Sequence, residues 1–104
     1  MLNHPSYFDK TLEINPENYI ILNNYAYYLS IQNFDLEKAE KMAKKVYDKN
    51  SNNPTYVDTY AWVLYMQKNY KGAYDVMQSI ISQKDSWDKT LKEHYELILK
   101  ELNN

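Results

Sequence analysis

The sequence predicts an all-α fold, and three observations support this prediction. Glycine and proline, the residues that most often break helices, occur only 1 and 3 times in 104 residues. Apolar side chains recur with helical spacing, as at Leu22, Tyr25, Ala26 and Leu29. Strict alternation of apolar and polar residues, which is typical of strands, is rare. We therefore expect helices joined by short polar turns, and no strands.

Six helices are expected in this chain. Asn53 before Pro54 is typical of a helix start, because Asn caps free amides and Pro fits the first turn. Asp35 can cap the third helix, and Asp85 or Ser86 can cap the last one. Short polar links make neighbouring helices antiparallel. The expected helices are at about 5–14, 18–32, 36–49, 54–68, 71–83 and 87–102.

The helices repeat in pairs along the chain. Tyr25 and Tyr60 lie 35 residues apart, and Tyr95 follows after another 35. Ala39 and Ala73, each in the helix that follows, lie 34 residues apart. A period of this length, built from paired helices, indicates a solenoid in which each unit packs on its neighbours.

The repeated positions resemble the tetratricopeptide repeat, whose unit has about 34 residues. The residues that carry the resemblance are Leu22, Tyr25, Ala26, Leu29, Ala39 and Ala43 in one unit and Val57, Tyr60, Ala61, Leu64, Ala73 and Met77 in the next. The resemblance implies a right-handed solenoid of antiparallel helical hairpins. It divides the single domain 1–104 into the second helix of a partial repeat (1–18), two repeats (19–53 and 54–85) and a capping helix (86–104).

A second resemblance concerns the parent protein. The stretch from Asp58 to Tyr65 resembles the last repeats of long bacterial proteins, some of them exported and lipid-anchored. Because residues 1–18 match only half a unit, we expect a C-terminal repeat fragment of a longer bacterial protein. This resemblance leaves the compartment open between the cytoplasm and the periplasm or envelope.

Composition argues against several classes of function. The chain has no cysteine, which excludes disulfides, thiol catalysis and thiolate zinc sites. The net charge is −2 and every basic residue is Lys, so we expect no nucleic-acid binding. No apolar run approaches the ~18 residues that span a bilayer, and from residues 1–5 we expect no signal peptide. We therefore expect no direct membrane insertion.

Few residues are suited to catalysis or metal binding. The two histidines are His4 and His94, and His94 stands alone on the last helix between acidic residues. A metal site needs two or three further ligands at suitable spacing. We interpret His94 as a structural residue, and we expect no catalytic residue, no metal and no cofactor.

The inner face of the solenoid is the candidate binding site, because the resemblance places the first helix of each unit there. Tyr27 and Trp62 are equivalent positions, each two residues after a core Tyr. Exposed aromatic rings with neighbouring amides suit capture of a peptide, whereas mutual stacking of Tyr27 and Trp62 is the structural alternative. The candidate groove residues are Asn23, Asn24, Tyr27, Ile31, Asp58, Thr59, Trp62, Tyr65 and Met66.

One known ligand type of the family is not expected here. A variant of the repeat clamps the acidic tail of heat-shock chaperones with Lys and Asn. The corresponding positions hold Asn23, Tyr27 and Thr59 in this chain. The clamp is therefore absent, and that partner is not expected.

The sequence thus predicts a non-catalytic module that binds a protein or peptide partner. Two alternatives remain. The chain is a structural cap that self-associates, or it is an accessory domain of an enzyme whose catalytic part lies elsewhere. Self-association as a homodimer would use the N-terminal helix, whose apolar side chains lack a partner helix: Leu2, Tyr7, Phe8 and Leu12.

Overall fold

The computed structural model describes residues 5–104, with side chains described from Tyr7 onward. Leu2 and His4, named above, lie outside these residues. The described part of the chain contains no strand, and the prediction of an all-α fold is confirmed for it. Its helices are α1 Pro5–Ile14, α2 Tyr19–Ile31, α3 Leu36–Lys49, α4 Pro54–Met66, α5 Tyr70–Met77 and α6 Lys89–Leu102, with a 3₁₀ segment at Gln78–Ser86 between α5 and α6.

Two of the expected caps are confirmed. The side-chain oxygen of Asn53 accepts hydrogen bonds from the amides of Thr55 at 3.0 Å and Tyr56 at 3.2 Å. The carboxylate of Asp35 accepts from the amide of Lys38 at 3.4 Å. Because the first amides of a helix have no partner within it, each such cap contributes about 1 kcal/mol.

The expected cap of the last helix is wrong. Asp88 caps α6 by accepting a hydrogen bond from the amide of Leu91 at 2.9 Å. Asp85 and Ser86 cannot serve, because both lie within the 3₁₀ segment. Trp87 then adopts an extended backbone with φ −64° and ψ 143°, so that the new helix begins only after it.

The fifth helix was expected to be continuous over 71–83, and this is wrong beyond Met77. A 3₁₀ helix has three residues per turn, which places Met77 and Ile80 on the same side. Both are fully buried. The side-chain amide of Gln78 also donates a hydrogen bond to the Tyr95 hydroxyl on α6 at 3.2 Å. The tighter winding therefore keeps this segment against the core.

The helices are arranged as successive hairpins. α2 packs against α3, and α4 packs against α5. α3 also contacts α4, and α5 contacts α6, so that each hairpin is joined to the next. α4 further contacts both α2 and α6, so these three helices lie side by side, and we call their shared surface the inner face. This arrangement confirms the expected helical-hairpin fold.

Four alanines on the paired helices are among the most buried residues of the core. Ala26 and Ala61 on the first helices, and Ala39 and Ala73 on the second helices, are all completely buried. Larger side chains that complete the core surround them, including Leu29, Val57 and others. A side chain of one methyl group lets two backbones approach, because nothing larger holds them apart.

The N-terminal helix is better covered than the sequence suggested. Phe8 was expected to lack a partner, and this is wrong: it is buried, with its ring stacked on Tyr25 at 4.8 Å between centroids. Leu12 is half-buried, whereas Tyr7 is 57% exposed. The physical reason is that α2 itself supplies the ring that covers Phe8.

The alanine contacts give the first testable prediction. Ala61→Leu adds three carbon atoms at a fully buried position, and we expect it to lower the free energy of unfolding by about 1–3 kcal/mol through overpacking. Urea denaturation followed by circular dichroism measures this. The matched control is Lys41→Leu on the exposed side of α3, which should change stability by about 0.5 kcal/mol or less. Equal midpoints for Ala61→Leu and the unmodified chain would contradict the close-contact interpretation.

Candidate functional site

The inner face contains a cavity of about 290 Å³ between α2, α4 and the start of α6. Five of the nine candidate residues line it: Asn23, Asn24, Tyr27, Asp58 and Thr59. Thr55, Asp88, Thr90 and Leu91 complete the lining. Since nearly all of these side chains are polar, we call it the polar cavity.

Several of these side chains are less accessible than expected. Asn23, Asp58 and Thr59 are only 6%, 7% and 4% exposed, so the expectation of an exposed row of side chains is wrong at these three positions. Asn24 is exposed and Tyr27 is half-buried. The difference arises because α6 packs against α4 and covers part of the inner face.

A buried acid–histidine pair links α4 to α6. Nδ1 of His94 lies 2.8 Å and 3.0 Å from the two carboxylate oxygens of Asp58, and both residues are buried. Burial raises the pKa of the Asp58 carboxyl above its usual value, and the hydrogen bond from His94 acts in the opposite direction. His94 is thus a structural link between the capping helix and the repeat before it.

Trp62 packs against this pair through its ring. It is stacked on His94 at 3.9 Å and on Tyr65 at 4.5 Å between centroids, with the planes 14° and 10° apart. The sequence offered mutual stacking of Trp62 and Tyr27 as the alternative to peptide capture. This stack is not found among the described residues, so that alternative is wrong for them. The ring of Trp62 instead holds α6 against α4.

Tyr27 has a different environment from its equivalent Trp62. It is half-buried and borders two cavities, the polar cavity and a groove between α1 and α2. Burial raises the pKa of the Tyr27 hydroxyl, and the negative charge of Asp58 adds to this effect. Its ring and hydroxyl are therefore positioned next to the polar side chains on α4.

The groove between α1 and α2 has a volume of about 480 Å³, and we call it the α1–α2 groove. Ile31, one of the nine candidates, lies here and is 52% exposed. Met66, the last candidate, is half-buried at the end of α4 and lines neither cavity. The lining of the groove is Tyr7, Phe8, Ile21, Asn24, Tyr27, Tyr28 and Ile31.

Sequence reasoning missed the contribution of α6 to the polar cavity. Asp88, Thr90 and Leu91 were not among the candidates, although all three line it. The position of Asp88 predicts its role, because an Asp three residues before the apolar Leu91 is typical of a helix N-cap. With the cap expected at Asp85 or Ser86, the start of α6 is placed too early, and Asp88 is not predicted to line the cavity.

No metal centre is evident in the described part of the chain. Among residues 5–104, no three His, Asp or Glu side chains are grouped so that they could hold a metal ion. Asp58 and Asp88 both line the polar cavity, but the histidine nearest to them is already bonded to Asp58. The arrangement is therefore suited to hydrogen bonding and charge pairing.

Comparison with known proteins gives a family match over about a third of the chain. Residues 7–41 match the family model of the tetratricopeptide repeat. The matched segment runs from α1 through α2 into the first turns of α3. Searches of the curated proteins and of the solved structures found no significant match. Within the described residues, no helix has the length and apolar character needed to cross a membrane.

The Asp58–His94 pair gives a second prediction. His94→Phe keeps a ring against Trp62 but removes the donor to Asp58, and we expect a loss of about 3 kcal/mol in unfolding free energy at neutral pH. Asp58→Asn removes the buried charge and leaves an oxygen to accept from Nδ1, so it should cost about 1 kcal/mol or less. Urea denaturation of the two variants tests this, and equal losses would contradict a role for the buried charge.

Proposed function

We propose that the chain is a tetratricopeptide repeat protein that binds a protein or peptide partner on its inner face and catalyses no reaction. Repeats of this family are generally protein-interaction modules and are typically non-enzymatic. Solenoids of stacked repeats use such continuous faces for binding, because successive units present equivalent side chains side by side.

The observation that carries this proposal is the polar cavity on the inner face. It presents amide, hydroxyl and carboxylate groups from three helices, and the phenol ring of Tyr27 stands at its edge. Peptide main chains need hydrogen-bonding groups of this kind, and aromatic rings provide contact area at low entropic cost. Asn24 is exposed on the same helix and can reach a bound chain.

The environment of His94 supports the proposal that the chain is not catalytic. A general base must have a free ring nitrogen near a substrate. Nδ1 is held by Asp58, so Nε2 is the ring nitrogen left to act as a base, but Trp62 covers one ring face and the residue is only 8% exposed. The burial of the ring, rather than its bond to Asp58, therefore argues against proton transfer to a substrate.

A third prediction tests peptide binding at Tyr27. Peptides selected from a random display library on the immobilised chain should bind Tyr27→Ala roughly 30-fold more weakly, which corresponds to about 2 kcal/mol. The reason is that Tyr27 is the partly accessible aromatic ring at the polar cavity. Fluorescence anisotropy with labelled peptides provides the measurement.

The matched control for this experiment is Phe34→Ala, which removes an aromatic ring that is 65% exposed and lines neither cavity. It should leave the affinity unchanged. Peptides that bind Tyr27→Ala and the unmodified chain equally would count against the inner face. Trp62 is a poorer probe than Tyr27, because its removal also loosens α6.

A second candidate function is self-association through the α1–α2 groove. The groove is bordered by exposed apolar side chains, with Ile31 52% and Tyr7 57% exposed. The repeat pattern places the first helix of a preceding unit at this position. A second copy of the chain can cover the same apolar surface and remove it from water.

Sedimentation velocity over a range of concentrations tests this fourth prediction. If the groove mediates association, the unmodified chain should form dimers, and Ile31→Lys should weaken them by roughly tenfold or more through burial of an unpaired charge. Phe34→Lys, outside the groove, is the control and should have no effect. A monomer at every concentration up to the millimolar range would refute self-association.

A further inference from the structure

The charged side chains that line the polar cavity are both acidic. Its ionisable side chains include two carboxylates, Asp58 from α4 and Asp88 from the start of α6. No Lys is among the described residues that line it, although the chain contains twelve. Asp88 is exposed, and Asp58 forms part of the buried wall. The cavity therefore presents two carboxylates, of which Asp88 is exposed and Asp58 also bonds His94 Nδ1.

Asn23 is the observation that points to a ligand here. It is 6% exposed and lines the cavity, yet its side chain makes no hydrogen bond to any residue in the described part of the chain. Neither polar atom of this side chain is fully enclosed without a partner, so the amide still reaches solvent through the cavity. Neighbouring polar groups are satisfied, since the Thr59 hydroxyl donates to the Thr55 carbonyl at 3.2 Å. Asn23 is thus available for a group that enters from outside.

The available groups define the chemistry of that ligand. Two carboxylates favour a positive charge, and the Asn23 carbonyl oxygen accepts hydrogen bonds from N–H donors. The half-buried ring of Tyr27 adds an aromatic surface on which a cation can rest. A metal ion fits less well, because no group of three metal-ligating side chains occurs among residues 5–104.

The size of the cavity limits how much of a partner enters it. Its volume of about 290 Å³ lies at the lower end of the range for small-molecule pockets. One side chain is accommodated more readily than a folded segment. The cavity opens on the same face that is proposed to hold a peptide, so that a side chain of the bound peptide is the natural occupant.

We propose that the polar cavity receives the cationic end of a Lys or Arg side chain from the bound peptide. Asp58 and Asp88 supply the opposite charge, and Asn23 accepts a hydrogen bond from the ammonium or guanidinium group. This rests on the proposed function, since it assumes a peptide on the inner face. The charges are opposite to those of the chaperone clamp, in which Lys side chains of the repeat hold an acidic tail of the partner.

The test uses defined probes and the full chain. N-acetyl-lysine methylamide, N-acetyl-arginine methylamide and the uncharged N-acetyl-norleucine methylamide are titrated while amide resonances are followed by nuclear magnetic resonance. The lysine and arginine probes should shift the signals of Asn23, Asp58 and Asp88 saturably, and comparison of the two identifies the preferred cation. The norleucine probe should produce no saturable shift.

Two substitutions remove the charges with little change in shape. Asp58→Asn leaves an acceptor for His94, and Asp88→Asn leaves a good helix cap. Together they should weaken binding of the cationic probe roughly tenfold or more. If the double variant does not fold, Asp88→Asn alone serves, because its side chain is exposed, and it should weaken binding by about threefold or more.

The outcomes separate this inference from the proposed function. Equal binding of norleucine, no saturable shift, or unchanged cation binding in the charge variants overturns the cation site. In that case, peptides that depend on Tyr27 but need no basic residue leave the proposed function standing. Conversely, cation binding that depends on Asp58 and Asp88, without any peptide that needs Tyr27, supports the site and refutes the proposed function.

Discussion

Close approach of paired helices at alanine is the constraint on which the rest of this structure depends. Each hairpin has completely buried alanines on its two helices, Ala26 with Ala39 and Ala61 with Ala73. A side chain of one methyl group allows the two helices of a hairpin to pack closely, and α3 then joins the first hairpin to α4 of the second. The larger core residues, such as Leu29 and Met77, complete the buried core. The packed hairpins leave α2, α4 and α6 in contact along the inner face.

The capping helix joins stability to the candidate site. α6 is fixed by the Asp58–His94 hydrogen bonds and by the stack of Trp62 on His94. Asp58 at the same time forms a wall of the polar cavity, and Asp88, which caps α6, forms its rim. Any movement of α6 would therefore change both the core and the cavity. For this reason His94, a structural residue, lies next to Asp58, which lines the polar cavity.

Periodicity along the chain predicts the helices well, because the spacing of apolar residues directly reflects which side of a helix is buried. The repeat of 35 residues likewise identified Tyr27 and Trp62 as equivalent positions. Their different environments could not be predicted, because the second depends on α6, whose start was misplaced by the unrecognised 3₁₀ segment. The burial of Phe8 was missed for a similar reason, since stacking on Tyr25 depends on the angle between two helices.

The polar cavity differs from the apolar packing that is usual where helices meet. A purely structural cap would favour apolar side chains at the contact between α2, α4 and α6, because they pack without desolvation cost. This chain instead has Asn23 without a hydrogen bond in the described structure and a carboxylate, Asp58, whose pKa is raised by burial. Burial of the Asp58 carboxylate is offset by its hydrogen bonds with His94, whereas the Asn23 amide remains open to the cavity. The proposed binding on the inner face therefore rests on the amide more than on the buried carboxylate.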